Sequence, residues 1–180
     1  MSIVSRFVQR EGPQPADLTL EAMRKRHLRA VLAIERQSYP KPWTIGVFQS
    51  EIDLARDDRR YYVVAKQAHA VVGYAGLLYS PEGAHVTNIA VDPRLRRGGI
   101  GRRLLLDLVR EARRARCTSM TLEVRVSNVA AQEMYRAFGF VPAGIRHNYY
   151  ENTDDAIVMW LHDIDSDEYA ARIAEIEAAT

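Results

Sequence analysis

The sequence predicts a mixed α/β (α+β) fold: one sheet of about seven strands flanked by four helices, with a further helix at the C-terminal end. Three observations lead there. Strand-like and helix-like segments follow one another in the order β-α-α-β-β-β-α-β-α-β-β before the last helix, the pattern of a sheet covered by helices. A chain of 180 residues, 47% hydrophobic and 27% charged, can build one core and is too apolar to stay disordered. No linker, internal repeat or low-complexity tract divides it.

Residues 1–17 are polar, carry Gly12, Pro13 and Pro15 and show no sustained period, so they read as a loose extension. The main domain spans residues 18–162. Leu18 to Met23 reads as a first strand. Arg26 to Tyr39 reads as a helix, with Leu28, Val31, Leu32 and Ile34 near helical spacing, and Pro40 and Pro42 break it. Thr44 is a plausible N-cap for a second helix that runs to Leu54. Three strands rich in Val, Tyr and Ile follow: Tyr61 to Lys66, Ala70 to Tyr79 and His85 to Val91.

Ile100 to Arg116 is the clearest helix, with Leu104, Leu105, Leu108, Val109 and Ala112 as its apolar stripe. In the strand Ser119 to Val126, Leu122, Val124 and Val126 alternate with Glu123 and Arg125. Asn128 caps a short helix that ends at the C′ glycine Gly139. Phe140 to Tyr149 and Asp155 to Leu161 read as the last strands. Residues 163–180 form an acidic tail, helical from Ser166 to Ala179, with Tyr169, Ile173 and Ile176 on one side.

Charge is unevenly placed although the net charge is only +2. Asp92 to Arg116 holds nine arginines against three acids, or +6, and Glu151 to Thr180 holds nine acids against Arg172, or −8. The basic middle points to an anionic ligand; the acidic end fits a cationic partner or a solvated surface. The longest apolar run, Ala156 to Leu161, is far too short to span a bilayer, and the first residues lack the apolar stretch of a signal peptide, so a cytoplasmic protein with no membrane partner is expected. The lone Cys117 excludes an internal disulfide framework and reads as a small core residue. No metal site is expected, since His27, His69, His85, His147 and His162 are scattered.

The strongest chemical signal is the turn from Val91 to Arg103, between a strand and the best helix: Val91-Asp92-Pro93-Arg94-Leu95-Arg96-Arg97-Gly98-Gly99-Ile100-Gly101-Arg102-Arg103. Glycines let a ligand approach the backbone, and a helix start offers free N–H donors and partial positive charge, which suits phosphate. Arginines in the first turn oppose the helix dipole by about 0.3–1 kcal/mol each, a sign that a bound polyanion reverses. A P-loop needs Gly-Lys-Ser/Thr where Gly101-Arg102-Arg103 stands, and a dinucleotide fingerprint needs glycine in place of Leu104. What fits is Arg-x-x-Gly-x-Gly at Arg96, Gly99 and Gly101.

With that signature the chain resembles the GCN5-related N-acetyltransferases (GNAT family), whose acetyl-coenzyme A motif is Gln/Arg-x-x-Gly-x-Gly/Ala. Thr87-Asn88-Ile89-Ala90-Val91-Asp92-Pro93, Leu122-Glu123-Val124-Arg125-Val126-Ser127-Asn128, Tyr135-Arg136-Ala137-Phe138-Gly139-Phe140 and Ile145-Arg146-His147-Asn148-Tyr149-Tyr150 look like the RimI-type ribosomal-protein alanine N-acetyltransferases. The resemblance covers about Leu18 to Leu161 and implies a mixed, mostly antiparallel sheet. Two departures stand out: Arg96 where glutamine is commoner, and His147 where arginine is expected. The second bears on substrate preference, not on the cofactor.

The resemblance implies direct attack of an amine on acetyl-CoA in a ternary complex. It implies Glu123 as general base and Tyr135 as general acid; read alone, Glu123 is a solvated strand residue and Tyr135 a core aromatic. Cofactor contacts are expected from Ile89, Ala90, Val91, Arg96, Arg97, Gly98, Gly99, Ile100, Gly101 and Arg102, with Ile89 serving the oxyanion and Val91 the pantetheine arm. Asn128 reads equally as a pantetheine contact and as a plain N-cap.

The acceptor groove is expected from two loops. One carries Tyr39, Pro42 and Trp43; the other carries Asn148, Tyr149 and Tyr150, beside Arg146. Tyr149 and Tyr150 are otherwise ordinary strand residues. The implied acceptor is a protein with a free N-terminal alanine, a small-subunit ribosomal protein, met by a monomer or weak dimer. Two other readings stay open: an acetyltransferase for a small amine, and a non-catalytic acyl-CoA-binding module. No nucleic-acid binding is expected, because the arginines are confined to one turn and its helix.

Overall fold

Alternating apolar residues and short turns assemble seven strands into one sheet. A computed structural model of the chain describes residues 18–57, 59–150 and 154–179. The expected extension at 1–17 lies outside the described residues, as do Glu151, Asn152 and Thr153 of the second acceptor loop. The strands are β1 (Leu18–Ala22), β2 (Arg60–Gln67), β3 (Ala70–Ser80), β4 (Gly83–Val91), β5 (Met120–Arg125), β6 (Val141–Tyr150) and β7 (Asp154–Leu161). They lie in the order β1-β2-β3-β4-β5-β7-β6. Every neighbouring pair is antiparallel except β4 and β5.

The parallel pair is short. β4 and β5 meet only at Ala84↔Met120 and His85↔Thr121, and beyond these residues they part. A register shift between Gly76 and Leu77 pairs Asn88 with Gly76 and Val86 with Leu77, leaving Thr87 as the extra residue of β4. A bulge bends the strand that carries it and raises its local twist. The bend falls where β4 leaves β5.

Five helices cover the sheet: α1 (Leu28–Ser38), α2 (Ile45–Leu54), α3 (Ile100–Arg114), α4 (Val129–Ala137) and α5 (Asp167–Ala178). β2 buries Tyr62, Val63, Val64 and Ala65 in succession, because both sheet faces are covered. Val63 and Ala65 join the core under α3, α4 and α5, whereas Tyr62 and Val64 join the core under α1 and α2. The predicted α3 stripe, Leu104, Leu105, Leu108, Val109 and Ala112, is buried throughout; each buried leucine contributes about 1.5–3 kcal/mol.

The caps follow the expected chemistry. Thr44, Asn128 and Ser166 accept from the N–H groups of Val47, Ala131 and Tyr169. α4 ends with Gly139 at φ +97, where Gly139 N–H donates to the Arg136 carbonyl and Phe140 N–H to the Tyr135 carbonyl.

Two boundaries differ from the sequence reading. The first helix opens as a 3-10 turn, Lys25–His27, because buried His27 takes the Arg24 N–H on Nδ1. β5 ends at Arg125, and Val126, expected in the apolar alternation, is exposed while its N–H donates to the Asp155 carbonyl. α5 lays Tyr169, Ile173 and Ile176 into the main core, so the apolar side of the acidic tail is buried and its acids face outward.

Candidate active site

β5 alternates buried and half-buried along its length: Met120, Leu122 and Val124 enter the α3 side, so Glu123 emerges on the opposite face. There its Oε2 lies 3.1 Å from His85 Nε2 on β4 and its Oε1 lies 3.3 Å from Arg146 Nη1 on β6. The hydrogen bond from His85 holds the Glu123 carboxyl below the usual carboxylate range, helped by the charges of His85 and Arg146 and opposed by burial. His85 Nδ1 lies 2.7 Å from Thr121 Oγ1. These groups line a cleft of about 400 Å³ that also takes in Glu82, Tyr149 and Trp160.

A second group of side chains gathers where β4 and β5 part. Tyr39, just after α1, donates its hydroxyl to the Ile89 carbonyl at 3.0 Å. Asp92 N–H donates to the Val72 carbonyl on β3. Polar groups alternate in direction along an antiparallel pair, so those of Ala90 turn to β3 and those of Ile89 and Val91 turn into the opening. The Ala90 side chain is buried under α1 and α2.

Tyr135 is buried against Phe140, with ring centroids 5.8 Å apart, in the hydrogen-bonded turn that ends α4. Burial pushes its phenol well above the ordinary range, and the nearby Tyr39 and Tyr150 phenols add to the shift. Tyr150 donates its hydroxyl to the Glu123 carbonyl at 3.2 Å and lies under the Arg125 guanidinium. Its phenol is raised to about 12, chiefly by burial.

The glycine-rich turn forms the third wall. Arg96, Arg97, Gly98 and Gly99 are exposed, and Gly99 at φ +78 opens α3. A Cβ at Gly99 meets nothing within 4 Å, which leaves room for a ligand beside the backbone. Ile100 anchors the helix start in the core, while Gly101 faces Met134 of α4 and Val91 of β4 at van der Waals distance. The first N–H groups of α3 have no partner within the helix.

One predicted arginine does not face this turn. Arg94, not among the predicted contacts, is bound to Asp92 through Nε and Nη2. Arg102 donates its Nη2 to the Ile176 carbonyl of α5 at 3.3 Å, which directs its guanidinium to the tail helix.

The remaining predictions divide. Arg146, Tyr149 and Tyr150 come together around Glu123, with Arg146 5.4 Å from the Tyr149 ring centroid. Pro42 and Trp43 do not line the cleft. Trp43 instead packs on Phe48 at 5.4 Å, and its backbone N–H donates to Glu35 Oε1 at 2.8 Å. Asn148, at φ +52, gives its N–H to Asp155 and holds the β6–β7 hairpin. Asn128 Oδ1 is engaged as the α4 cap.

Two residues were missed by sequence reasoning. His85 stands beside Glu123, and buried Glu35 ties the loop after α1 by accepting from Trp43 N–H and the Tyr74 hydroxyl. The available signals were weak: His85 alternates with Ala84 and Val86, and Glu35 is an acid on the apolar side of α1.

A sequence model of the acetyltransferase (GNAT) family matches residues 28–140, more than half of the chain, including β4, the glycine-rich turn, Glu123 and Tyr135. The chain belongs to this acetyltransferase family. As a GNAT protein it is 38% identical over 140 residues to a putative ribosomal protein bS18-alanine N-acetyltransferase of Bacillus subtilis, covering 77% of this chain and 91% of that one. It is 35% identical over 146 residues to the ribosomal protein bS18-alanine N-acetyltransferase of Escherichia coli K12, covering 79% and 96%. It is 34% identical over 139 residues to the N-alpha-acetyltransferase RimI of Mycobacterium tuberculosis, covering 74% and 84%. The crystal structure of the Escherichia coli ribosomal-protein-S18-alanine N-acetyltransferase superposes with a TM-score of 0.73 at 33% identity, over 81% of this chain and 94% of that one.

Proposed function

We propose that this GNAT protein is an acetyl-CoA-dependent N-acetyltransferase for protein N-terminal α-amines, with the alanine of ribosomal protein bS18 as acceptor. One observation carries the reading. The opening between β4 and β5 is flanked by the glycine-rich start of α3, where Gly101 meets Val91, and by the Glu123 carboxylate. The names of relatives more than 30% identical supply the acceptor. Such a substrate is made in the cytoplasm, where this reading places the chain; among the described residues no helix is long and apolar enough to cross a membrane.

The residues fit the cofactor. Arg96, Arg97, the amides from Gly98 to Arg102 and the turn that Gly99 leaves open would hold its phosphates, while the polar backbone groups of Ile89 and Val91 would meet its pantetheine arm and carbonyl. When bound, acetyl-CoA supplies an activated acetyl thioester. The Ile89 N–H is then a fixed donor for developing oxyanion charge, an arrangement worth about 3–4 kcal/mol.

An α-amine with a reference pKa of roughly 8 is about 10% neutral at pH 7, against about 0.04% for a lysine near 10.4. Glu123, held ionised, attracts the ammonium. Its carboxylate takes the amine's proton directly or through a water. Tyr135, kept protonated by burial, holds a proton for the leaving sulfur.

The test is coenzyme A release with mass spectrometry of the product, using an Ala-starting basic hexapeptide, its N-blocked lysine-containing twin and spermidine. Release with the free Ala peptide alone is expected, falling about 100-fold or more in Glu123→Gln. Release with spermidine alone overturns the protein-substrate reading.

A further inference from the structure

We infer that His85 is a positioning residue of this acetyl-transfer site, aiming the Glu123 carboxylate from the last paired residues of β4 and β5. The inference rests on the reading that Glu123 serves the acceptor amine. His85↔Thr121 is the final pair before the strands part, so the backbone under the imidazole is fixed relative to the strand that carries Glu123. Both ring nitrogens are engaged: Nε2 lies 3.1 Å from Glu123 Oε2 and Nδ1 2.7 Å from Thr121 Oγ1. With Nδ1 accepting from the threonine hydroxyl, neutral His85 donates Nε2–H to Glu123 and pins one carboxylate oxygen.

The other oxygen faces Arg146, whose side chain is 54% exposed on the edge strand β6, against 29% for His85. Arg146 is therefore the partner that an incoming ammonium can displace, and His85 is the one that stays. The groups that share the cleft with the imidazole are Thr121 and Glu123 of β5, Arg146 and Tyr149 of β6, and Glu82 of the β3–β4 turn; β7 contributes only uncharged Val158 and Trp160.

His85→Gln keeps a neutral donor to Glu123 and is expected within about 3-fold of wild type in kcat. His85→Ala loses the aim and is expected about 10–100-fold slower in kcat, with KM for acetyl-CoA unchanged. A kcat in His85→Gln as low as in His85→Ala, or wild-type kcat in His85→Ala, overturns the assignment.

The kinetics are measured on whichever acceptor is turned over. Activity on spermidine alone would sink the bS18 reading and still test His85. A readout without catalysis is the nitrogen NMR shift of His85 Nε2 in wild type and Glu123→Gln. It is expected to change when the carboxylate 3.1 Å away is removed, and an unchanged shift overturns the pairing.

Discussion

In the proposed reaction Tyr135 and Glu123 divide the proton chemistry by environment. The phenol sits among apolar neighbours and keeps its proton; the carboxylate sits between His85 and Arg146 and loses its own. Tyr135→Phe preserves the ring contact with Phe140, so thermal unfolding should hold while kcat falls about 100-fold, leaving a slow enzyme. Unchanged turnover would remove the acid role. For Glu123 the folded-state pKa is lowered, so its stabilising contribution is present above the ordinary carboxylate range and is lost as pH falls through the folded value. Thermal unfolding scanned from neutral to acid pH should therefore fall less steeply in Glu123→Gln than in wild type. The arginines divide as well. Arg96→Ala should raise KM for acetyl-CoA about 10-fold without loss of stability, whereas Arg102→Ala should lower the melting temperature and leave that KM within about 2-fold, because its guanidinium bonds to α5.

The elements place these residues by local rules that need few partners. α4 is started by Asn128 and stopped by Gly139, and the stop places Tyr135 and Phe140 against each other. The loop between α1 and α2 is held by Glu35, whose two oxygens accept from Trp43 N–H and the Tyr74 hydroxyl. Glu35→Ala leaves both donors without that acceptor and should cost about 2–4 kcal/mol in denaturant unfolding; Glu35→Gln, which keeps an acceptor, should cost less. Gly99→Ala separates fold from ligand. Its Cβ meets no atom within 4 Å, so the strained φ alone should cost about 1 kcal/mol of stability. A rise in KM for acetyl-CoA beyond about 5-fold in the same variant would report a ligand lying against that backbone.

At the scale of the whole molecule the acidic tail is part of the core. Tyr169, Ile173 and Ile176 are buried, the Tyr169 hydroxyl donates to the Phe138 carbonyl at 2.9 Å, and Arg113 of α3 donates to the carbonyls of Ile164 and Ser166. Ile173→Ala should cost about 2–4 kcal/mol, read by thermal or denaturant unfolding. The basic and acidic halves of the chain meet here too, through Arg110 and Glu177 and through Arg102 and the end of α5.

The sequence by itself determined the elements, the helix caps, the α3 stripe and the glycine-rich turn, since periodicity, capping chemistry and glycine are local signals a single chain displays. It also exposed Glu123 and Tyr135 as candidates, through their surrounding strings. Only the tertiary structure decided that His85 meets Glu123, that Arg102 turns to α5, that Trp43 serves the core and that the tail is buried. Each of these depends on which strands pair and where the pairing ends. A parallel contact between β4 and β5 joins residues 36 positions apart, His85 and Thr121, and nothing in the residues between them records that register.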